Sequence, residues 1–175
     1  YANDVTSREL ERLATKANKW NELLENYNGL VAQIEDPTEQ SELWVKIGRW
    51  YGEHLDRPDY GIQSLERALE LNPDSVSALR ELANFHRRSG AAEALADTLA
   101  KIVPVEEEPE AQAGTLIDLA EVQETVLNDL PAAVESYRRV LEINSDSVKA
   151  LDALARLHEQ AGQWADLVQA IDRRA

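Results

Sequence analysis

A chain of 175 residues that is 43% hydrophobic holds material for one compact domain or one short array of repeats. It carries no cysteine, which excludes a disulfide framework, a thiolate metal site and a catalytic thiol. Its net charge of −15 repels phosphate backbones, and with no overall basic stripe nucleic acid is excluded as a partner.

Apolar stretches such as 29–32 and 115–117 fall far short of the ~20 residues that cross a bilayer, so no membrane association is expected. The chain starts at Tyr1 with no visible leader, and 163–175 reads as helix to its last residue without a stop signal. The expectation is an excised piece of a longer, cytoplasmic protein. Charge is uneven: residues 104–135 hold nine acids and no Lys or Arg, whereas 136–175 balance six against six.

An internal repeat organises the chain. The run from Pro73 to Ala83 returns as Ser145 to Ala155, and the same offset of 72 pairs Asn72 with Asn144, His86 with His158, Gly90 with Gly162 and Leu95 with Leu167. Doubled, it pairs Trp20 with Trp164. This period is too long for one helical hairpin, so each unit should hold two, of alternating subtype.

In chain order, the first hairpin (4–40) rests on Trp20, Leu23 and Tyr27, which match Trp164, Leu167 and Ile171. The second (41–75) follows Asp36-Pro37-Thr38-Glu39: an N-cap acceptor, a proline for the first turn and a glutamate three residues on. Its apolar stripes, Trp44, Ile47, Gly48 and Tyr51, then Ile62, Leu65, Ala68, Leu69 and Leu71, recur at helical spacing. The third (76–112) follows Asp74 and turns at Gly90, where a helix ends with φ > 0. The connection 104–110, with two prolines and four glutamates, is the expected flexible joint within one array. The fourth (113–147) carries Leu116, Leu119, Ala120, Ala133, Tyr137 and Val140; the fifth (148–175) follows Asp146 and turns at Gly162. No run alternates with the period of a strand, so the expected fold is all α.

Trp44-x2-Ile47-Gly48-x2-Tyr51, followed by Gly61-x3-Leu65-x2-Ala68 and Pro73, resembles the tetratricopeptide repeat family, in arrays of bacterial type. The fourth hairpin keeps that plan with Gln123 in place of the aromatic, and the second and fourth each have one extra residue in the inner turn. The third and fifth, around Leu82-Ala83-x2-His86 and Leu154-Ala155-x2-His158, are looser versions. The resemblance implies a right-handed α-solenoid of about five helix–turn–helix repeats, spanning 1–175 as a single array. Small residues such as Gly48 and Ala155 are expected where helices cross. It also implies a groove lined by the first helix of each hairpin, and no enzyme.

Helical spacing maps that face as Arg8, Arg12 and Lys16; Val45, Arg49 and Glu53; Arg80, Asn84, Arg87 and Arg88; Ile117, Glu121 and Glu124; and Asp152, Arg156 and Glu159. The candidate partner-binding residues are Arg8, Arg12, Lys16, Arg49, Arg80, Asn84, Arg87 and Arg88, a basic stripe over three hairpins that changes sign at the acidic joint. Arginine forks and asparagine amides suit carboxylates and peptide backbone, so the expected partner is a protein or peptide, acidic and extended. The competing reading is an ordinary solvated helix face. A terminal-carboxylate clamp of the kind some relatives use is not expected, because Val45 and Glu81 stand where it wants cations or asparagine. The alternative function is structural, an array that assembles into homo-oligomers through its ends, with Leu167, Val168 and Ile171 leaving one apolar face. Nothing in the sequence indicates a catalytic, metal or cofactor site: His86 and His158 read as packing residues, and His54, beside Glu53 and Asp56, as a solvated turn.

Overall fold

The structure, a computed structural model, describes residues 4–162. Among the described residues it has nine α-helices and no strand: α1 (Asp4–Ala17), α2 (Trp20–Val31), α3 (Pro37–His54), α4 (Pro58–Leu71), α5 (Val76–Ser89), α6 (Ala92–Ile102), α7 (Pro109–Thr125), α8 (Leu130–Ile143) and α9 (Val148–Gln160). The all-α class expected from the sequence is what the chain has. The 72-residue period is carried by the helices themselves. α1, α5 and α9 begin at 4, 76 and 148, α2 and α6 at 20 and 92, α3 and α7 at 37 and 109, and α4 and α8 at 58 and 130.

The turns repeat as faithfully, and they separate the two hairpin subtypes. Asn18, Gly90 and Gly162, each 72 residues from the next, sit at φ of 55°, 71° and 66°. Gly90 and Gly162 were legible as turn residues; Asn18 does the same work because its short amide tolerates the left-handed region. In the other subtype Asp56 and Asn128 take this conformation, at 50° and 53°. Their longer turns close with Arg57 N–H on the Tyr51 carbonyl (3.0 Å) and Asp129 N–H on the Gln123 carbonyl (2.7 Å).

α3 and α7 begin at Pro37 and Pro109, four residues before the expected repeat starts at 41 and 113. Asp36 explains the first case: its Oδ1 accepts from Thr38 N (2.8 Å) and Glu39 N (3.0 Å), so the helix nucleates at the proline, whose fixed φ suits the first turn. The acidic connection is flanked by fixed contacts. Val103–Val105 forms a 3-10 turn with Val103 buried, and Gln112 Nε2 donates to the Val103 carbonyl at 2.8 Å. Gln40 Nε2 makes the same bond to Val31 at 3.0 Å, one period earlier. Both connections are therefore anchored by a glutamine reaching back to the preceding helix end.

The chain divides into two compact units, residues 1–85 and 86–175. In the first, Ala14, Trp20, Leu24, Tyr27 and Val31 pack on Ile47 and Trp50 of α3. Trp50 meets the Tyr27 ring edge-on at 4.8 Å and Trp20 at 5.7 Å. A further cluster joins Val45, Leu65 and Ala68 to Ala78, Leu82 and Phe85 of α5. The crossing of α3 and α4 is made by glycine. A Cβ on Gly48 would lie 2.9 Å from Leu65 Cγ and 3.0 Å from the Gly61 carbonyl, and one on Gly61 would run into the Phe85 ring. In the second unit Val103, Leu116, Ala120, Ala133, Tyr137 and Val140 pack on Ala150, Ala153, Leu154 and Leu157 of α9. Trp164, Leu167, Val168 and Ile171, and the hairpin partner of Ala155, lie outside the described residues.

Candidate functional site

In the first unit the face of α1 and α3 centres on a cation that spacing alone did not assign to it. Lys46 is largely buried: its Nζ donates to Ser7 Oγ, lies 3.3 Å from Glu11 of α1 and sits 5.1 Å over the Trp50 ring. Ser7 Oγ is in turn 3.4 Å from the Tyr27 hydroxyl. Residues 46, 49 and 53 are spaced as helically as 45, 49 and 53, so periodicity does not choose between Val45 and Lys46. Packing does. Val45 is 7% exposed in the cluster beneath α5, whereas Arg49 and Glu53 reach solvent. Among the described residues no acid pairs with Arg49. Arg8, Lys16, Arg80 and Asn84 are also exposed.

Arg12 is held within its own helix. Its fork donates to Glu9 at 2.8 and 2.6 Å, which keeps the Glu9 carboxyl below its usual range and the guanidinium above its own. His54 is exposed at the end of α3 with Glu53 3.8 Å from its Nε2, and its imidazole also stacks on Trp20 with ring centres 3.6 Å apart. His158 is buried, as a packing residue should be. Among the described residues no group of His, Asp and Glu is placed to hold a metal ion. None of the described helices is long and apolar enough to cross a membrane.

The second unit presents the opposite arrangement. α7 carries Asp118, Glu121 and Glu124, and each meets a cation from a neighbouring first helix. Arg87 reaches Asp118 at 2.8 Å, Lys149 reaches Glu121 at 2.7 Å, and Arg156 forks onto Glu124, with Nη2 at 3.1 Å from Oε2. Glu124 is the most enclosed of the three, at 7% side-chain exposure, and also accepts from the Tyr137 hydroxyl at 3.3 Å. Arg87, expected as an open cation of the stripe, is thus engaged laterally; Arg88 is exposed and Ile117 packs against the core. Asp118 and Lys149, which helical spacing left off the face, complete its pairs.

Burial, reinforced by Glu124, pushes the Tyr137 phenol up to about 12 from its ordinary 10. An acid whose folded pKa lies above its unfolded one contributes stability that is whole below pH ~10 and lost as pH rises towards 12. Ultraviolet titration should show one tyrosine ionising last, and Glu124→Gln should bring that transition down. An unmoved transition would mean that the carboxylate does not face the phenol.

Comparison with known proteins follows the same lines. A tetratricopeptide repeat model matches residues 150–175. No curated protein matches the chain. Among solved structures, the chain is similar to MamA, with a TM-score of 0.62 at 17% identity over 99% of this chain and 94% of that one. It is also similar to YrrB, described as a TPR protein with an unusual peptide-binding site, with a TM-score of 0.58 at 12% identity over 86% and 74%. PilF of Pseudomonas aeruginosa gives 0.54 at 14% identity over 90% and 74%. The resemblance carried by Gly48, Gly61, Ala68 and their equivalents is therefore a resemblance of fold: helical hairpins crossing at small residues, repeated along the chain, give it a fold like that of the tetratricopeptide-repeat protein YrrB.

Proposed function

We propose that this chain is a protein-interaction scaffold with no catalytic role, and that its first unit binds an extended acidic peptide segment along the first-helix face at Arg49, Arg80 and Asn84. One observation carries the reading. Arg49 is exposed with no acid paired to it among the described residues, whereas Glu121, one period later, is taken by Lys149. In the second unit each face carboxylate of α7 already has a cation, so that face has less charge to offer a ligand. Exposed guanidinium groups favour carboxylates through bidentate hydrogen bonds, and an amide such as Asn84 suits peptide backbone. YrrB, whose fold is similar, is a TPR protein with a peptide-binding site.

Fluorescence anisotropy with a labelled peptide rich in Glu and Asp tests this, with a Lys-rich peptide of equal length as control. The acidic peptide should bind and weaken steadily with salt, because exposed pairs are screened over about 8 Å at physiological ionic strength. Arg49→Glu with Arg80→Glu should weaken it about tenfold or more while leaving the melting temperature nearly unchanged. Equal affinity for both peptides, or indifference to the double change, overturns the reading.

A further inference from the structure

Two leucines on α1 are exposed where their counterparts are buried. Leu10 is 37% exposed and Leu13 is 45% exposed. α1 and α5 match at both ends with the 72-residue offset, so Leu10 and Leu13 correspond to Leu82 and Phe85, which are 9% and 2% exposed. One period further on, Leu154 and Leu157 of α9 are 4% and 3% exposed. In each case the covering surface is a preceding hairpin of one subtype. α3–α4 covers Leu82 and Phe85 through Val45, Leu65 and Ala68. α7–α8 covers Leu154 and Leu157 through Leu116, Ala120, Ala133, Tyr137 and Val140.

Charge follows the same rule. Arg156 of α9 crosses to Glu124 of the preceding hairpin. Arg12 stands at the matching place on α1, two periods earlier, and its fork is folded back onto Glu9 of its own helix.

We propose that the face of α1 formed by Leu10, Leu13 and Arg12 docks a further helical hairpin of the α7–α8 kind, one that precedes α1 in the same polypeptide. That hairpin has small residues where its helices cross, as Ala120 and Ala133 do, an aliphatic ridge over the leucines, and a carboxylate at the place of Glu124 that draws Arg12 from Glu9. A second copy of this chain is a poor occupant. Its α3–α4 and α7–α8 surfaces are already covered by its own α5 and α9. This inference stands apart from the peptide-binding reading, which concerns charged residues of α3 and α5.

The test places residues 109–147 ahead of Asp4, so that α7–α8 leads into α1 through the connection that leads into α9. Leu10→Lys with Leu13→Lys is then made with and without the added hairpin. In the extended chain the pair should lower the melting temperature by at least about 4 °C; in the original chain, where both side chains reach solvent, the shift should stay within about 2 °C. Equal shifts in the two backgrounds, or none in the extended chain, overturn the proposal. A photo-crosslinker at Leu13 of the complete polypeptide identifies the source. Capture of residues before Tyr1 of the same molecule supports it. Capture of a second copy or another protein, or no capture at all, overturns it.

Discussion

Gly61→Leu should lower the melting temperature by about 6–12 °C, the equivalent of about 3 kcal/mol, the upper part of the usual overpacking range. A Cβ there would meet the Gly48 carbonyl at 3.0 Å and the ring of Phe85, which is itself only 2% exposed. A flexible side chain could swing aside, but a carbonyl inside a helix and a ring packed with Leu65 and Leu82 cannot move without separating α4 from α3 and α5. Gly114, exposed in α7 with no heavy atom within 4 Å of a built Cβ, is the control. Gly114→Ala should raise stability by about 0.5–1 kcal/mol through helix propensity alone. Differential scanning calorimetry reads both. The crossing is misassigned if Gly61→Leu behaves like Gly114→Ala.

Trp50→Ala should cost about 3–5 kcal/mol, the range for removing a large buried aromatic. Trp50 is 2% exposed and ties α3 to α2: Trp20 and Tyr27 of α2 pack on it, and Lys46 of its own helix lies over its ring. Losing it empties a cavity between α2 and α3 and strips the Lys46 ammonium of the ring that partly shields it. Urea unfolding, followed by the near-ultraviolet signal of the remaining tryptophans, should show a lower midpoint. Trp50→Phe keeps an aromatic edge for Tyr27 and should recover most of the loss. If Trp50→Ala costs less than about 1 kcal/mol, the aromatic cluster is not what fastens the first hairpin to α3.

The period, the helix content and the glycine turns were legible in the sequence because each is a local property. A left-handed turn demands glycine or asparagine at one position, an N-cap demands an acceptor beside proline, and a buried helix stripe demands apolar residues at helical spacing. Copying such a hairpin copies all three, which is why Gly90 and Gly162 could be paired before any fold was known. Asn18 escaped because a single asparagine is a weak signal, one the recurrence of its φ at Gly90 and Gly162 makes plain.

The charged face is another matter. Whether Val45 or Lys46 belongs to the face shared with α1 depends on α5 arriving over one side of α3, and no spacing within α3 contains that fact. The pairs Arg87–Asp118, Lys149–Glu121 and Arg156–Glu124 join residues about thirty positions apart, so each charge, read alone, looked like solvated surface. Helical periodicity records how a helix meets its surroundings, so the sequence by itself determined the repeat, the hairpins and their turns. Only the tertiary structure decided which charges are matched across neighbouring helices, because that depends on the distance between side chains that stacking brings together.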